Sequence, residues 1–223
     1  MKKLAIIPIR SGSKTIKNKN IKKINNKPLF YYCLNACIKS KIFDEIIISS
    51  DSSKYLKIVK KYFKNKTITF HNRSKKNSLD QASTESVITE ILKTRNAEVD
   101  DICYLVQCTS PMILAIDLVK AYKLFKKNNL DSLFTGFEKK IFIWDNKKKL
   151  KPLNYNYKNR PRRQNFESYI FENGAFYIFK TKLFKLKKNR LFGNLGAYLM
   201  PEIRSLEIDE KEDLILFRKI TKK

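Results

Sequence analysis

The chain has few of the residues that build several common kinds of site. It contains one histidine, His71, and no GxSxG motif, which argues against a Ser-His-Asp hydrolase. No apolar run approaches the ~18 residues of a membrane-spanning helix, so such spans are excluded. The four cysteines (Cys33, Cys37, Cys103 and Cys108) do not supply two pairs with zinc-ligand spacing. We predict that they are buried, reduced thiols, as in proteins of a reducing compartment.

The opening segment, MKKLAIIPIR, combines charge with an apolar stretch, as a signal peptide does. However, its apolar stretch covers only residues 4–9, no small-residue cleavage site follows, and polar residues 10–26 come next. We therefore interpret the segment as a first buried strand. The protein is expected in the cytoplasm, without a membrane partner.

Acidic residues are also scarce, with 21 against 48 Lys and Arg, which leaves a net charge of +27. Such an excess is typical of proteins that bind nucleic acids. Yet 39 of the cations are Lys and only 9 are Arg, whereas base-reading and bidentate phosphate sites prefer Arg. We interpret most of the charge as solvated lysine surface and expect no nucleic-acid partner. A role for the remainder in binding a polyanionic substrate or a nucleic acid stays open.

Short apolar runs alternate with longer amphipathic ones along most of the chain. Strands are predicted at residues 3–9, 45–50, 67–71, 102–107, 132–137, 171–179 and 196–200. Helices are predicted at residues 28–39, 52–63, 83–95, 116–127, 180–188 and 209–221. The alternation favours βαβ units, and so an α/β fold of three layers, with helices on both faces of a mostly parallel, twisted sheet.

No internal repeat or linker divides the chain, so residues 1–223 are predicted to form one domain. The alternation is interrupted at residues 139–163, where ten basic residues and one acidic residue surround Trp144, Tyr155 and Tyr157. A stretch of this length without periodicity in a compact domain is either functional or poorly ordered.

A basic, hydroxyl-rich loop follows the first predicted strand. Residues 10–20, RSGSKTIKNKN, offer hydroxyls, cations and a glycine, which suit a triphosphate together with exposed backbone N–H groups. The loop opens at the carboxyl edge of the predicted sheet, where ligands of open α/β sheets bind. It matches neither GxxxxGK[ST] nor GxGxxG, so P-loop and dinucleotide sites are disfavoured. The alternative is a solvated basic loop.

Two further polar segments also follow predicted strands. Arg73 precedes the polar run 78–84, and QCTSP follows the fourth strand at residues 107–111. Each alone could be an ordinary loop or the start of a helix. Three polar loops at one edge of a sheet favour a shared site instead.

An acidic pair lies near the end of the chain. In extended geometry, Glu207 and Asp209 face the same side and can share a divalent cation. In the alternative interpretation, Asp209 caps the last helix, with Glu212 in the capping-box position.

Six segments together resemble the cytidylyltransferases that make CMP-sialic acid. They are IIPIRSGSKTIKNKNI, EIIISSDS, VQCTSPM, RPRRQ, ENGAFYIF and RSLEIDEKEDL, in family order and with family-like spacing over nearly the whole chain. The resemblance implies a Rossmann-like nucleotidyltransferase fold with an extended arm at residues 139–170. That arm would pack against a second subunit of a homodimer, with Trp144 and the tyrosines as anchors.

The resemblance also implies a reaction between CTP and a nine-carbon 2-keto sugar acid. The anomeric 2-hydroxyl of the sugar attacks the α-phosphorus, and pyrophosphate leaves. Mg²⁺ is the implied cofactor, held by Glu207 and Asp209, and the implied catalytic residues are Asp209, Lys19 and Arg10. The residues implied to contact CTP are Arg10, Ser13, Lys14, Lys19, Asn20, Arg73, Ala82, Thr84 and Gln107. Those implied to contact the sugar acid are Gln107, Arg163 and Asn173, with Arg163 facing the carboxylate.

Several alternatives stay open at this point. Glu207 stands where the family more often has Asp, and residues 171–172 replace an Arg-Pro pair of some members. Sialic, legionaminic, pseudaminic and deaminated sialic acids therefore all remain candidate sugars. The rivals are a CMP-Kdo synthetase, whose first loop usually reads differently, a nucleic-acid-binding protein that uses the basic arm, and an inactive relative that only binds sugars or partners.

Overall fold

The computed structural model describes residues 1–79, 81–96, 98 and 100–221. The strands are β1 (Lys3–Pro8), β2 (Lys23–Ile24), β3 (Lys27–Pro28), β4 (Glu45–Ser50), β5 (Ile68–Asn72), β6 (Ile102–Val106), β7 (Ser132–Lys139), β8 (Trp144–Asp145), β9 (Lys151–Pro152), β10 (Tyr169–Lys180) and β11 (Leu195–Leu199). The helices are α1 (Leu29–Ser40), α2 (Ser53–Tyr62), α3 (Thr84–Thr94), α4 (Ala115–Lys127), α5 (Thr181–Lys187) and α6 (Lys211–Thr221).

Seven of the strands form one sheet in the order β11-β7-β10-β6-β1-β4-β5. β10 runs antiparallel to both of its neighbours, while the other adjacent pairs in the sheet are parallel. The predicted mostly parallel α/β sheet is therefore confirmed. The antiparallel direction of β10 was not predicted, because an apolar run indicates a buried strand but not its direction.

The sheet is covered on both faces. Alternate residues of β1 enter different cores: Ala5 and Ile7 lie among residues of α1, α2 and α4, while Leu4 and Ile6 lie among residues of α3 and α5. Because both faces of this strand are buried, its sequence is a continuous apolar run rather than an alternation of apolar and polar residues. A third cluster joins α6, through Leu214 and Phe217, to the loops beside β1 and β11. The predicted three layers are thus observed.

Two short antiparallel ribbons were not predicted. β2 pairs with β3 across Asn25 and Asn26, which both have positive φ, at 48° and 65°. Asparagine tolerates this left-handed region better than most residues, so the Asn-Asn pair was a usable turn signal. The other ribbon, β8 with β9, lies inside the arm, and two residues per strand give too little periodicity to detect.

The arm, residues 139–170, is a folded hairpin rather than a structureless loop. Phe142 stands at its centre, with ring centroids 4.4 Å from Tyr155 and 4.6 Å from Phe166, and the Arg160 guanidinium lies 4.3 Å from its ring. Trp144 packs on the same cluster at its edge and is 40% exposed. The arm therefore has its own aromatic core.

Among the described helices, none has the length and apolarity to cross a membrane.

Candidate active site

A cavity of about 400 Å³ opens at the carboxyl edge of the sheet, beside β1 and β6. Its lining combines polar and apolar surface and carries four cationic side chains. The lining residues are Pro8, Arg10, Ser13, Lys14, Thr15, Lys19, Asn20, Arg73, Ala82, Thr84, Val87, Gln107, Cys108 and Thr109. Every residue predicted to contact CTP lies in this set. The three polar loops predicted to share a site do converge.

The loop after β1 is held by hydrogen bonds to the segment after β4 and by bonds within the loop. The carboxylate of Asp51, which follows β4, accepts from the Ser11 backbone N–H at 2.8 Å and from its hydroxyl at 2.6 Å. The guanidinium of Arg10 donates to the Gly12 carbonyl at 2.8 Å, and the Asn20 amide donates to the Arg10 carbonyl at 2.8 Å. These bonds hold the loop against one side of the cavity, which its residues line.

The side chain of Asn20 also accepts a hydrogen bond from Cys108. Cys108 donates its S–H to the Asn20 Oδ1 at 2.9 Å, and both side chains are buried. Burial raises the pKa of the Cys108 thiol to about 12, so this thiol stays protonated and acts as a donor. We find no reason in this geometry to assign it a nucleophilic role.

Arg73 forms the opposite side of the cavity, just after β5. Its Nε donates to the Ser49 hydroxyl at 3.1 Å and its Nη2 to the Ser49 carbonyl at 3.3 Å. Burial lowers the pKa of this guanidinium, and the Arg10 charge nearby adds to the effect. Two cations facing one cavity make it a site for an anion.

The acidic pair borders the same cavity. Asp209 Oδ1 lies 2.7 Å from Lys19 Nζ, and Glu207 Oε1 accepts from the Thr109 hydroxyl at 2.9 Å. Both partners line the cavity. Between the two acids, Ile208 is fully buried, whereas Glu207 is half-buried and Asp209 is exposed. That both carboxylates face one side stays a prediction. Burial and the nearby Asp209 carboxylate raise the pKa of Glu207.

The segment that carries the acids is pinned at several points. The Ile208 N–H donates to the Thr109 carbonyl at 2.7 Å, and the Thr15 hydroxyl donates to the Asp209 carbonyl at 2.5 Å. Capping of α6 does not involve the Asp209 carboxylate. Instead, the Asp213 carboxylate accepts the backbone N–H groups of Asp209 and Glu210, at 2.9 and 2.7 Å. The alternative interpretation of Asp209 as a cap is therefore wrong.

Two of the residues predicted to contact the sugar acid do not line this cavity. Arg163 is exposed on the arm, in a short 3-10 turn. Asn173 is buried at a β-bulge of β10, where Gly174 has φ +62°. Its amide donates to the Ser205 hydroxyl at 2.8 Å and accepts from the Ala175 N–H at 3.1 Å. Gln107, the third, does line the cavity.

Sequence reasoning did not assign several residues of the site. Thr15 and Thr109 lie within the quoted motifs, so their position was a signal, but their hydrogen bonds to the acidic segment depend on the tertiary fold. Asp51 belongs to the motif EIIISSDS and could have been proposed as an anchor of the first loop. The network behind Arg73, described below, had no sequence signal.

Comparisons with known proteins identify the family of the chain. A family model described as cytidylyltransferase matches residues 4–221. The N-acylneuraminate cytidylyltransferase of Oncorhynchus mykiss is 35% identical over 92% of this chain and 47% of that protein. The pseudaminic acid cytidylyltransferase of Campylobacter jejuni is 33% identical over 96% of this chain and 94% of that protein. The chain spans about half the length of the fish N-acylneuraminate cytidylyltransferases that it matches.

Solved structures show a similar fold. A CMP:2-keto-3-deoxy-manno-octonic acid synthetase complexed with CTP superposes with a TM-score of 0.72 at 15% identity, over 99% of this chain and 98% of that one. A 4-diphosphocytidyl-2C-methyl-D-erythritol synthase gives 0.69 at 11% identity, over 99% of each chain. At such identities the likeness concerns the fold alone. The match of the family model over nearly the whole chain, together with the identities to two kinds of sugar-acid cytidylyltransferase, shows that this chain belongs to the cytidylyltransferase family.

Proposed function

We propose that the protein transfers CMP from CTP to the anomeric hydroxyl of a nine-carbon 2-keto sugar acid, giving a CMP-sugar and pyrophosphate. The observation that carries the proposal is the cavity itself, because every residue predicted to contact CTP lines it. Relatives of this chain are named for N-acylneuraminate and for pseudaminic acid, which are both nine-carbon acids of this kind.

The triphosphate is proposed to lie along the loop after β1. Arg10, Lys14 and Lys19 line this side of the cavity and would neutralise its oxygens. Arg73, Ala82 and Thr84 line the other side and would meet the cytidine end. Because phosphoryl-type transfer needs mainly positioning and charge neutralisation, this set is chemically sufficient to hold the reacting phosphorus.

Asp209 is proposed to take the proton of the attacking hydroxyl. As that proton leaves, the sugar oxygen forms a bond to the α-phosphorus, and the bond from this phosphorus to the bridging oxygen breaks. Pyrophosphate departs with that electron pair. Lys19, whose Nζ lies 2.7 Å from Asp209 Oδ1, is proposed to turn toward the phosphates when CTP binds, which would free the carboxylate for the sugar hydroxyl.

Glu207 and Asp209 also fit the donor set of a Mg²⁺ site. Among the described residues, no group of three or more His, Cys, Asp and Glu side chains could hold a metal. Mg²⁺ needs no such group, because it usually binds one or two carboxylates together with substrate phosphates. When bound there, it would supply charge that stabilises the phosphate oxygens and lowers the pKa of the sugar hydroxyl.

The sugar acid is proposed to bind between Gln107 and the arm of a second subunit. Arg163 is exposed on the arm and does not line the cavity of its own chain. A homodimer in which each arm reaches the partner's cavity would bring this guanidinium to the sugar carboxylate. The exposed side chains of Trp144, Tyr157 and Leu153 on the arm are suited to such an interface. A contact of Asn173 with the sugar stays a prediction.

We also propose that the enzyme acts in the cytoplasm. All four cysteines are buried free thiols, a state that fits a reducing compartment.

The test is pyrophosphate release from CTP with a panel of sugar acids. The panel contains N-acetylneuraminic, legionaminic, pseudaminic and deaminated sialic acids, and the eight-carbon acid Kdo, each with Mg²⁺ and with EDTA. We expect release with at least one nine-carbon acid, and none in EDTA. Turnover of Kdo alone would identify the rival synthetase, and CTP binding without any turnover would identify an inactive relative.

A further inference from the structure

The network behind Arg73 is built around the one histidine of the chain. Ser49 of β4 and His71 of β5 are neighbours in the parallel pairing of these strands, and both are buried. The Ser49 hydroxyl lies 3.2 Å from His71 Nδ1. On the other side of the ring, His71 Nε2 lies 3.3 Å from Glu90 Oε1, on α3. The residues thus form a continuous path from α3 to Arg73.

The hydrogen-bond directions along this path are set by its two ends. Arg73 Nε can only donate, so the Ser49 oxygen accepts there. Glu90, at the other end, can only accept, so in the neutral ring Nδ1 is unprotonated and accepts the Ser49 hydroxyl proton. The remaining ring proton is on Nε2 and is donated to the Glu90 carboxylate. One neutral tautomer of His71 therefore satisfies every group on the path.

Glu90 is itself fixed in place. Its carboxylate accepts from the Ser74 backbone N–H at 2.7 Å and from the Ser74 hydroxyl at 2.8 Å, and it also accepts from the Asn77 amide. Glu90 is held on one side by these bonds and on the other by His71, so the ring cannot rotate without breaking a buried bond. Residues 74–77 lie outside the cavity lining, which means that this part of the network touches no proposed substrate.

We propose that Glu90, His71 and Ser49 are positioning residues that orient Arg73 for the nucleotide. The inference rests on the proposed binding of CTP. An arginine that only needed to be near an anion could reach the cavity in several rotamers. Here, Nε and Nη2 are both anchored to Ser49, so the guanidinium presents one orientation to the cavity. A fixed donor plane gives specificity and reduces the entropy lost on binding.

Two substitutions of His71 separate its contacts. In His71→Gln, the side-chain amide can donate to Glu90 but no longer accepts the hydrogen bond from the Ser49 hydroxyl. In His71→Asn, the amide can accept from Ser49 but is too short to reach Glu90. Ser49→Ala removes the central hydroxyl. The matched control is Ser40→Ala, a buried serine of α1 whose hydroxyl donates to the Cys37 carbonyl and which lies outside the cavity lining.

The measurement is the dissociation constant of CTP by calorimetry, without sugar acid. We expect Ser49→Ala and His71→Gln to weaken CTP about tenfold, and His71→Asn less, because each of the first two frees the guanidinium. Ser40→Ala should bind CTP as the wild type does. In turnover, KM for CTP should rise while kcat changes little. In an Arg73→Ala background, Ser49→Ala should have no further effect.

Unchanged CTP affinity in Ser49→Ala and His71→Gln, with a clear loss in Arg73→Ala, would overturn the inference and leave the proposed function intact. Absence of CTP binding by the wild type would contradict both. A second measurement, the ¹⁵N NMR spectrum of the wild type, tests the path without depending on whether the variants fold. The ¹⁵N spectrum of the single imidazole should show a neutral ring protonated at Nε2, and a proton on Nδ1 would refute the proposed path.

Discussion

At the scale of single residues, the ion pair of Lys19 and Asp209 joins the proposed triphosphate-binding and metal-binding parts of the site. One side chain belongs to the loop that faces the proposed triphosphate, and the other to the acidic segment. Asp209 is exposed in spite of this ion pair, with 56% of its side chain accessible. The Lys19 side chain is only 12% exposed, but because water reaches the Asp209 carboxylate, the pair adds little to folding stability. Its arrangement is better explained by function than by stability.

Asp209→Asn should therefore abolish turnover without destabilising the protein. The substitution removes the charge that would accept the proton, and losses for such groups are typically about 10²-fold to 10⁴-fold. The measurement is kcat by pyrophosphate release, with the melting temperature recorded alongside. Asp44→Asn is the control, because Asp44 is a similarly exposed acid that pairs with Lys3, far from the cavity. An Asp209→Asn enzyme as active as the control would remove the proposed role.

His71 should titrate below its usual pKa. Burial lowers the pKa of the ring, and the charges of Arg95 and Arg73 lower it further, against the opposing effect of Glu90. A lowered pKa in the folded state stabilises the fold above the ordinary value of 6.5, and this contribution is lost as the pH falls through the lowered value. Proton NMR of the single ring measures this directly. A midpoint above 6.5 would contradict the burial argument.

Some residues of the site could be predicted from the sequence and others could not. Arg10 and Gln107 come just after strands, and Lys19 lies further along the loop after β1, so the edge of the sheet brings them together and their position could be predicted. Ser49 and Glu90 could not be predicted as supports of Arg73. Their roles depend on strand register and on which face of the sheet α3 covers, and a single sequence shows neither.

At the scale of elements, the apolar pattern predicted most of the sheet and helices but not the direction of β10. This strand enters from the arm, and its antiparallel direction places its start at the same edge as the ends of β6 and β7. The bulge at Asn173 and Gly174 shifts the register of its pairing with β7. An antiparallel strand between parallel ones has the same buried pattern as its neighbours. Only the connection through residues 139–170 sets its direction.

The arm should act on the partner's site rather than on its own. Arg163→Ala should weaken binding of the sugar acid far more than that of CTP, because it would remove the proposed bidentate contact with the sugar carboxylate. The measurement is KM for each substrate, with the neighbouring Arg162→Ala as control. An unchanged KM for the sugar acid would contradict the assigned role.

Mixing variants tests whether the contact crosses between subunits. Asp209→Asn and Arg163→Ala subunits are each impaired alone. In a mixed dimer with exchanged arms, one site has an intact Asp209 and receives an intact Arg163. Random mixing should then restore about a quarter of wild-type activity. No recovery in a confirmed mixed dimer would show that Arg163 acts within its own chain.

At the scale of the whole molecule, the net charge of +27 is the feature that most invites another function. The cations are spread over many elements. α2 alone carries Lys54, Lys57, Lys60 and Lys61, and these lie away from the cavity lining. A dispersed charge of this kind attracts any polyanion weakly and raises the encounter rate with an anionic substrate.

Oligonucleotide binding should therefore be weak, independent of base sequence and sensitive to salt. We expect fluorescence anisotropy to show affinity falling at least ~10³-fold between about 50 and 200 mM salt. CTP turnover should persist at the higher salt, because the cations proposed to contact CTP are concentrated in one cavity and act at short range. Tight, sequence-dependent binding that survives this salt, together with no turnover of CTP, would favour the nucleic-acid rival.

The most direct test of the central claim is the identity of the product. Purified protein, CTP, Mg²⁺ and the preferred nine-carbon acid are incubated together, and the mixture is examined by mass spectrometry. The account predicts one CMP-sugar, with CMP bonded to the anomeric oxygen, for each pyrophosphate released. Hydrolysis of CTP to CMP without transfer, or no CMP-sugar from any nine-carbon acid, would contradict it.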